Sequence, residues 1–179
     1  MNSAALVKMG MTRTHQIVRP FRAMTVLENV QLAVHFGRHG VAGVARAREQ
    51  AREVLSRIGL EHRAPYLAGT LSLGDQKRLE VARALATGPE VLLLDEICGG
   101  LTSSETASML DLLRGIREAG TTILYVEHDM KAVMSVCDRI TVLNLGQKLA
   151  EGTPAEIRGN EAVIEAYLGK STLGSPPIA

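Results

Sequence analysis

Cysteine is scarce in this 179-residue chain, which holds just Cys98 and Cys137. Two residues so differently placed make no disulfide framework, so a reducing cytosol is the expected compartment, with each thiol packed as a small apolar group. An excess of one charge is equally missing: 20 basic and 19 acidic side chains leave a formal net charge of +1. Without a broad positive field nothing drives counterion release from a phosphate backbone, which excludes nucleic acid as a main partner. No apolar run approaches the roughly 20 residues of a membrane-spanning helix. The opening "MNSAALVKMGM" also lacks the apolar block of a signal peptide. What is there, 46% apolar residues with both charge signs interspersed, suits one soluble globular domain with a sizeable core.

Helical spacing dominates the first half. In "TVLENVQLAV" Thr25 and Glu28 can cap one another while Val26, Val30, Ala33 and Val34 share a face. After the Gly-punctuated "FGRHGVAG", Ala51, Val54, Leu55 and Ile58 repeat the helical period and Gly59 supplies a left-handed stop. From Leu71 onward short apolar runs appear: "VLLLDE", "TTILYVEH" and "RITVLNLG" read as strands. Between them lie two helices, one opened by the capping box "TSSE" and carrying Met109, Leu112, Leu113 and Ile116, the other carrying Met130, Val133, Met134 and Cys137. Alternation of this kind predicts parallel β-α-β crossovers with helices on both sheet faces. A last helix is expected from Asn160 to Gly169, followed by a frayed "STLGSPPIA".

Ligands of such sheets meet the carboxyl ends of the strands. Asp95 and Glu96 end one run; Glu127, His128 and Asp129 end another. Adjacent carboxylates suit nucleotide hydrolysis, the first holding Mg²⁺ and the second orienting and deprotonating a water. A neutral His128 could hydrogen-bond a γ-phosphate oxygen or that water. In "LSLGDQKRLEVARALA", Ser72 and Gly74 stand at the mouth of a helix, where free N–H groups attract an anion. Yet no phosphate loop occurs in the 179 residues. "YLGKST" ends like GxxxxGK[ST], but Ile164 occupies the leading glycine position and a helix precedes it, so Gly169 reads as a helix cap. Gln16, in "RTHQIVRPF", is by itself a loop donor and acceptor.

Taken in order, Gln16, a helical insertion, "LSLGD", "VLLLDE" and the His after a third-strand run resemble the ATP-binding subunit of ABC transporters, from about Lys8 to the end. "MGMTRTHQIVRPFRAMTVLENV", "VEHDMKAVMSVCDRI" and "GQKLAEGTPAEIRGNEAVIEAYLG" resemble the branch serving branched-chain amino acid importers. The resemblance implies an incomplete P-loop NTPase (RecA-like) α/β fold with an ABC-type α-helical subdomain. One partial domain would divide into about 17–75 (Q-loop and helical subdomain), 76–152 (catalytic α/β part) and 153–179 (C-terminal helices and tail).

By the same resemblance Gln16 is the Q-loop residue and a second Mg²⁺ ligand beside Asp95. Leu71, Ser72, Leu73, Gly74 and Asp75 form the signature sequence, Asp95 and Glu96 the Walker B pair, and Gly100, Leu101 and Thr102 belong to the D-loop. His128 is the switch histidine. Leu73 and Asp75 depart from the third and fifth positions of the LSGGQ pattern, Thr102 replaces the usual acid or amide, and His15 stands where an aromatic is common. ATP and Mg²⁺ are the implied cofactors. The implied partners are a second ATP-binding subunit, identical or not, the permease, and indirectly an extracytoplasmic amino-acid-binding protein, at the cytoplasmic face of the inner membrane. In such a head-to-tail pair Ser72 and Gly74 serve the partner's γ-phosphate.

The first strands, the adenine-stacking aromatic and the phosphate loop of the family would precede Met1, so the chain reads as the C-terminal two thirds of a domain. Charge-assisted hydrogen bonds contribute about 1.5–3 kcal/mol each, so losing three costs at least about 4.5 kcal/mol, over a thousandfold in affinity. Negligible ATP binding by the chain alone is expected, as are exposed strand edges and self-association. Two rivals are a non-catalytic fragment that only docks on the permease or partner subunit, and a DNA-repair ATPase of the superfamily. The second is disfavoured by the absence of a long coiled-coil insertion and of a basic stripe.

Overall fold

The structure, a computed structural model, describes residues 2–14 and 19–168. It divides into two units, Met1–His128 and Asp129–Ala179. In the first unit the chain runs through α1 (Ser3–Lys8), β1 (Met11–Arg13), α2 (Val26–Phe36), α3 (Val44–Arg57), α4 (Leu73–Ala86), β2 (Val91–Asp95), α5 (Ser103–Glu118) and β3 (Thr122–Val126). The second holds α6 (Met130–Val136), β4 (Ile140–Asn144), β5 (Gln147–Gly152), α7 (Pro154–Arg158) and α8 (Glu161–Leu168).

The main core is helical. At the start of α2 the Glu28 N–H donates to Thr25 Oγ1 at 3.2 Å and the Thr25 N–H donates to the Glu28 carboxylate at 2.7 Å. This reciprocal cap satisfies two first-turn donors. It also holds the Glu28 carboxyl below the usual carboxylate range, the backbone bond being the larger cause. Val26, Val30 and Val34 of α2 bury one stripe against Ala47, Ala51 and Leu55 of α3 and Leu79 and Ala82 of α4. Gly59 ends the α3 segment at φ 74°, a backbone position that a side chain would strain. Asn29, fully buried, binds the connection that precedes α2: its side chain accepts from the Phe21 N–H at 2.9 Å and donates to the Thr25 carbonyl at 2.9 Å.

β1, β2 and β3 form a parallel sheet in that order, with Arg13 opposite Leu93 and Asp95 opposite Val126. β1 is a strand that the sequence reading does not anticipate. At three residues it is too short to show a period. β2 buries Leu92 and Leu94 completely and half-buries Val91, Leu93 and Asp95. β3 is less covered: Leu124 is 55% and Val126 53% exposed.

"RITVLNLG" differs from expectation. β4 pairs antiparallel with β5, in a two-stranded sheet of their own, and takes no part in a parallel crossover. The reason is local: Leu145 and Gly146 have φ of 47° and 79°, the two left-handed positions of a tight hairpin turn whose twist matches antiparallel strands. Thr153 and Glu156 form a further capping box at α7, with Pro154 in its first turn. The Val163 N–H donates to Asn160 Oδ1 at 3.2 Å and opens α8 where the sequence places it; the expected stop at Gly169 lies outside the described residues. Among the described residues no helix is long and apolar enough to cross a membrane.

Candidate functional site

The carboxyl ends of β2 and β3 bring the acidic residues and the histidine together. β2 delivers Asp95, and the chain bends at once: Glu96 adopts φ 46°, an uncommon conformation for a residue with a side chain. The Glu96 N–H still donates to the Val126 carbonyl at 3.0 Å, so the strain is held by continuing the ladder one residue past the strand. In that position Glu96 Oε1 lies 3.7 Å from His128 Nδ1. The Glu96 carboxylate is 36% and the His128 ring 74% exposed. An open carboxylate beside an open imidazole can receive a proton or orient a water between them.

Asp95 is placed differently. Its Oδ2 accepts from the Arg13 guanidinium at 2.8 Å, with Arg13 60% and Asp95 27% exposed. An ion pair this open is weak and exchangeable, so Asp95 stays accessible to a competing cation. Among the described residues no group of three or more His, Cys, Asp or Glu forms a metal cage. The Asp95 carboxylate, 27% exposed, suits Mg²⁺, which is commonly held by one or two carboxylates together with substrate phosphates and waters. Gln16, His15 and the rest of 15–18 lie outside the described residues. Their N-terminal anchor is described: buried Thr14 accepts the Asp95 N–H at 3.4 Å, and its own N–H donates to the Leu93 carbonyl at 2.9 Å.

Two supporting residues emerge from the structure. The Glu127 side chain is only 2% exposed. Its Oε1 accepts the Cys98 N–H at 3.1 Å and its Oε2 the His128 N–H at 3.2 Å. One carboxylate therefore ties the turn after Glu96 to the residue that carries the imidazole. Lys77, buried in α4, donates Nζ to the Glu96 carbonyl at 3.1 Å. Burial pushes its ammonium below the usual lysine range, while Cys98, Glu127 and Glu96 pull it back up. Cys98 is buried as expected, and Tyr125 Oη donates to its Sγ at 3.3 Å.

The signature segment sits at the N-terminus of α4. Leu71 is buried, Ser72 exposed, and Ser72 Oγ accepts the Asp75 N–H at 3.2 Å. The Leu73 and Gly74 amides belong to the first turn, which has no partners within its own helix. A Cβ on Gly74 would stand 2.6 Å from Glu105 Oε1, so the end of the Glu105 side chain would have to shift to admit one. Leu73 is 47% exposed, and its Cδ2 would lie 3.1 Å from a Cβ on Gly100. Asp75 faces Arg63 Nε at 3.5 Å. Thr102 does what its capping pattern predicts: its N–H and hydroxyl both donate to Glu105, which holds that carboxyl low, and Leu101 N–H closes a turn on the Cys98 carbonyl at 3.2 Å.

Lys77 had no sequence signal, because a lysine in "GDQKRLE" reads as a solvated helix face. Glu127 was legible as a strand-end acid but not as a buried one.

Known proteins resemble this chain in sequence and fold. A family model described as ABC transporter matches residues 2–99, and one described as branched-chain amino acid ATP-binding cassette transporter matches 147–171. The high-affinity branched-chain amino acid transport ATP-binding protein LivG of Salmonella typhimurium is 45% identical over 179 residues, covering 93% of this chain and 70% of LivG. BraF of Pseudomonas aeruginosa, with the same description, is 41% identical over the same shares. Among solved structures, the ADP conformation of an ATP-binding cassette of an ABC transporter superposes with a TM-score of 0.80 at 27% identity, over 95% of this chain and 72% of that one. A nucleotide-free cassette gives 0.78 at 26%, over 95% and 73%. By these matches the chain belongs to the ATP-binding subunits of ABC transporters, on the branched-chain amino acid transport branch.

Proposed function

We propose that this chain couples ATP hydrolysis to the import of branched-chain amino acids, with each nucleotide shared by two subunits in a head-to-tail pair. The observation that carries the reading is the Glu96 carboxylate 3.7 Å from the His128 imidazole at adjacent strand ends. In this reading Glu96 orients the attacking water and accepts its proton, and His128 donates a hydrogen bond to a γ-phosphate oxygen. Glu127 and Lys77 hold the backbone that carries both. Leu71 to Asp75 present the α4 terminus to the partner's γ-phosphate, and Gly100, Leu101 and Thr102 line the same seam. Asp95 with Gln16 would hold Mg²⁺, which would supply charge neutralisation at the phosphates. Residues about 17–75 carry the link from nucleotide to permease, 76–152 the catalytic part, and 153–179 the C-terminal helices. The partners are a second ATP-binding subunit, identical or not, the permease subunits and, through them, an extracytoplasmic amino-acid-binding protein. The chain works at the cytoplasmic face of the inner membrane as a peripheral protein.

The test joins the 179 residues to a family segment carrying GxxxxGK[ST] and follows phosphate release. Turnover is expected, and Glu96→Gln is expected to lower it by at least a hundredfold while MgATP binding stays within about threefold. Unchanged turnover in that variant overturns the assignment. A second reading is docking on the permease or partner subunit without hydrolysis. Capture of the extended chain by the permease, with MgATP bound but no phosphate release from the same preparation, identifies it.

A further inference from the structure

The second unit contains a cavity of about 410 Å³ that the reading above does not use. Its volume falls in the range of small-molecule sites, about 300–1,000 Å³. Met130 and Met134, one helical turn apart on α6, form one wall, and Val163 and Ile164 of α8 the other. Methionine walls adapt to irregular aliphatic shapes because the thioether is flexible and polarizable. Lys131 and Arg158 also line the cavity, and both are exposed. Long basic side chains of this kind lay their stems along apolar surface and keep the charged head at the mouth. Neither makes an ion pair among the described residues, and no carboxylate occurs among the described residues that line the cavity.

We propose that this cavity binds an aliphatic monocarboxylate, its hydrocarbon chain between α6 and α8 and its carboxylate between Lys131 and Arg158. The charge pattern selects the class. A neutral hydrocarbon leaves both cations without a counter-charge. A zwitterionic amino acid brings an ammonium that meets two cations and no acid. Polyanions such as nucleotides are too polar for walls of methionine, valine and isoleucine. One negative group on a branched or straight chain satisfies walls and mouth together, the guanidinium offering a planar fork to the carboxylate.

The experiment titrates the 179-residue chain, its methionine methyls labelled with carbon-13, with 4-methylpentanoate and octanoate. Leucine and 4-methylpentan-1-ol are the comparison ligands. Saturable shifts at the Met130 and Met134 methyls, with Met24 and Met109 unmoved, are expected for the two carboxylates. Leucine and the alcohol are expected to bind at least about tenfold more weakly, one charge-assisted hydrogen bond being worth about that factor. The pair Lys131→Gln with Arg158→Gln changes exposed positions and is expected to keep the far-ultraviolet spectrum and lose the same factor. Ile164→Trp, which fills the cavity, is expected to abolish the shifts. No shift at millimolar carboxylate overturns the proposal. So does equal affinity for the alcohol or for leucine, or unchanged affinity in the paired glutamine variant.

Discussion

The helical layer and the sheet of the first unit both carry aliphatic side chains, yet they finish differently. α2, α3 and α4 bury theirs against one another: Val26, Val30, Ala51, Leu55 and Leu79 are fully enclosed. The sheet encloses Leu92 and Leu94 but leaves Leu124 and Val126 more than half exposed one strand away. Burial of apolar area is the main source of stability, at roughly 25 cal/mol per Å², so the helices support themselves and the sheet draws on cover from elsewhere. The candidate site stands on the less supported of the two.

The comparison can be broken at three points. Leu55→Ala opens a cavity in the self-supporting layer and is expected to cost about 2–5 kcal/mol in urea unfolding. A loss under about 1 kcal/mol would mean that the layer is not the stability core. The helix caps come next. Thr25→Ala is expected to cost about 1 kcal/mol. The Glu28 and Glu105 carboxyls are held low by bonds to Thr25 and Thr102. Their contribution is therefore present above the ordinary carboxylate pKa and lost as pH falls through the lowered one. Melting curves between about pH 6 and pH 3 should show this loss, reduced in Glu28→Gln. Smallest is the change at the sheet: Leu124→Thr with Val126→Thr should alter unfolding free energy by less than about 0.5 kcal/mol per site. It should also reduce concentration-dependent light scattering, since exposed apolar strand surface promotes association. A large destabilisation there would show that these side chains are covered in solution.

Much of this was legible where chemistry is local. Thr25 with Glu28 and Thr102 with Glu105 announce their caps because a hydroxyl and a carboxylate three residues apart can serve only each other's amides. The alternation of Leu92 and Leu94 with half-buried neighbours agrees with a strand. Thr153 and Glu156 show the same cap pattern, which the sequence reading left unused. What stayed hidden depends on partners distant in sequence. β1 exists through pairing with β2, and β4 turns back on β5 because Leu145 and Gly146 both accept a left-handed backbone. Lys77 became a buried contact for a carbonyl 19 residues away, which no periodicity encodes. The Glu96 and His128 pairing was foreseeable as strand ends on one edge, whereas the Glu127 clasp between the Cys98 and His128 amides was not.

One contact reaches further than its 3.1 Å. α4 opens at the exposed Ser72 cap and, one turn on, its Lys77 grips the carbonyl of Glu96. The helix and the strained turn after β2 are thus one lever: tilting α4 carries the Glu96 backbone with it.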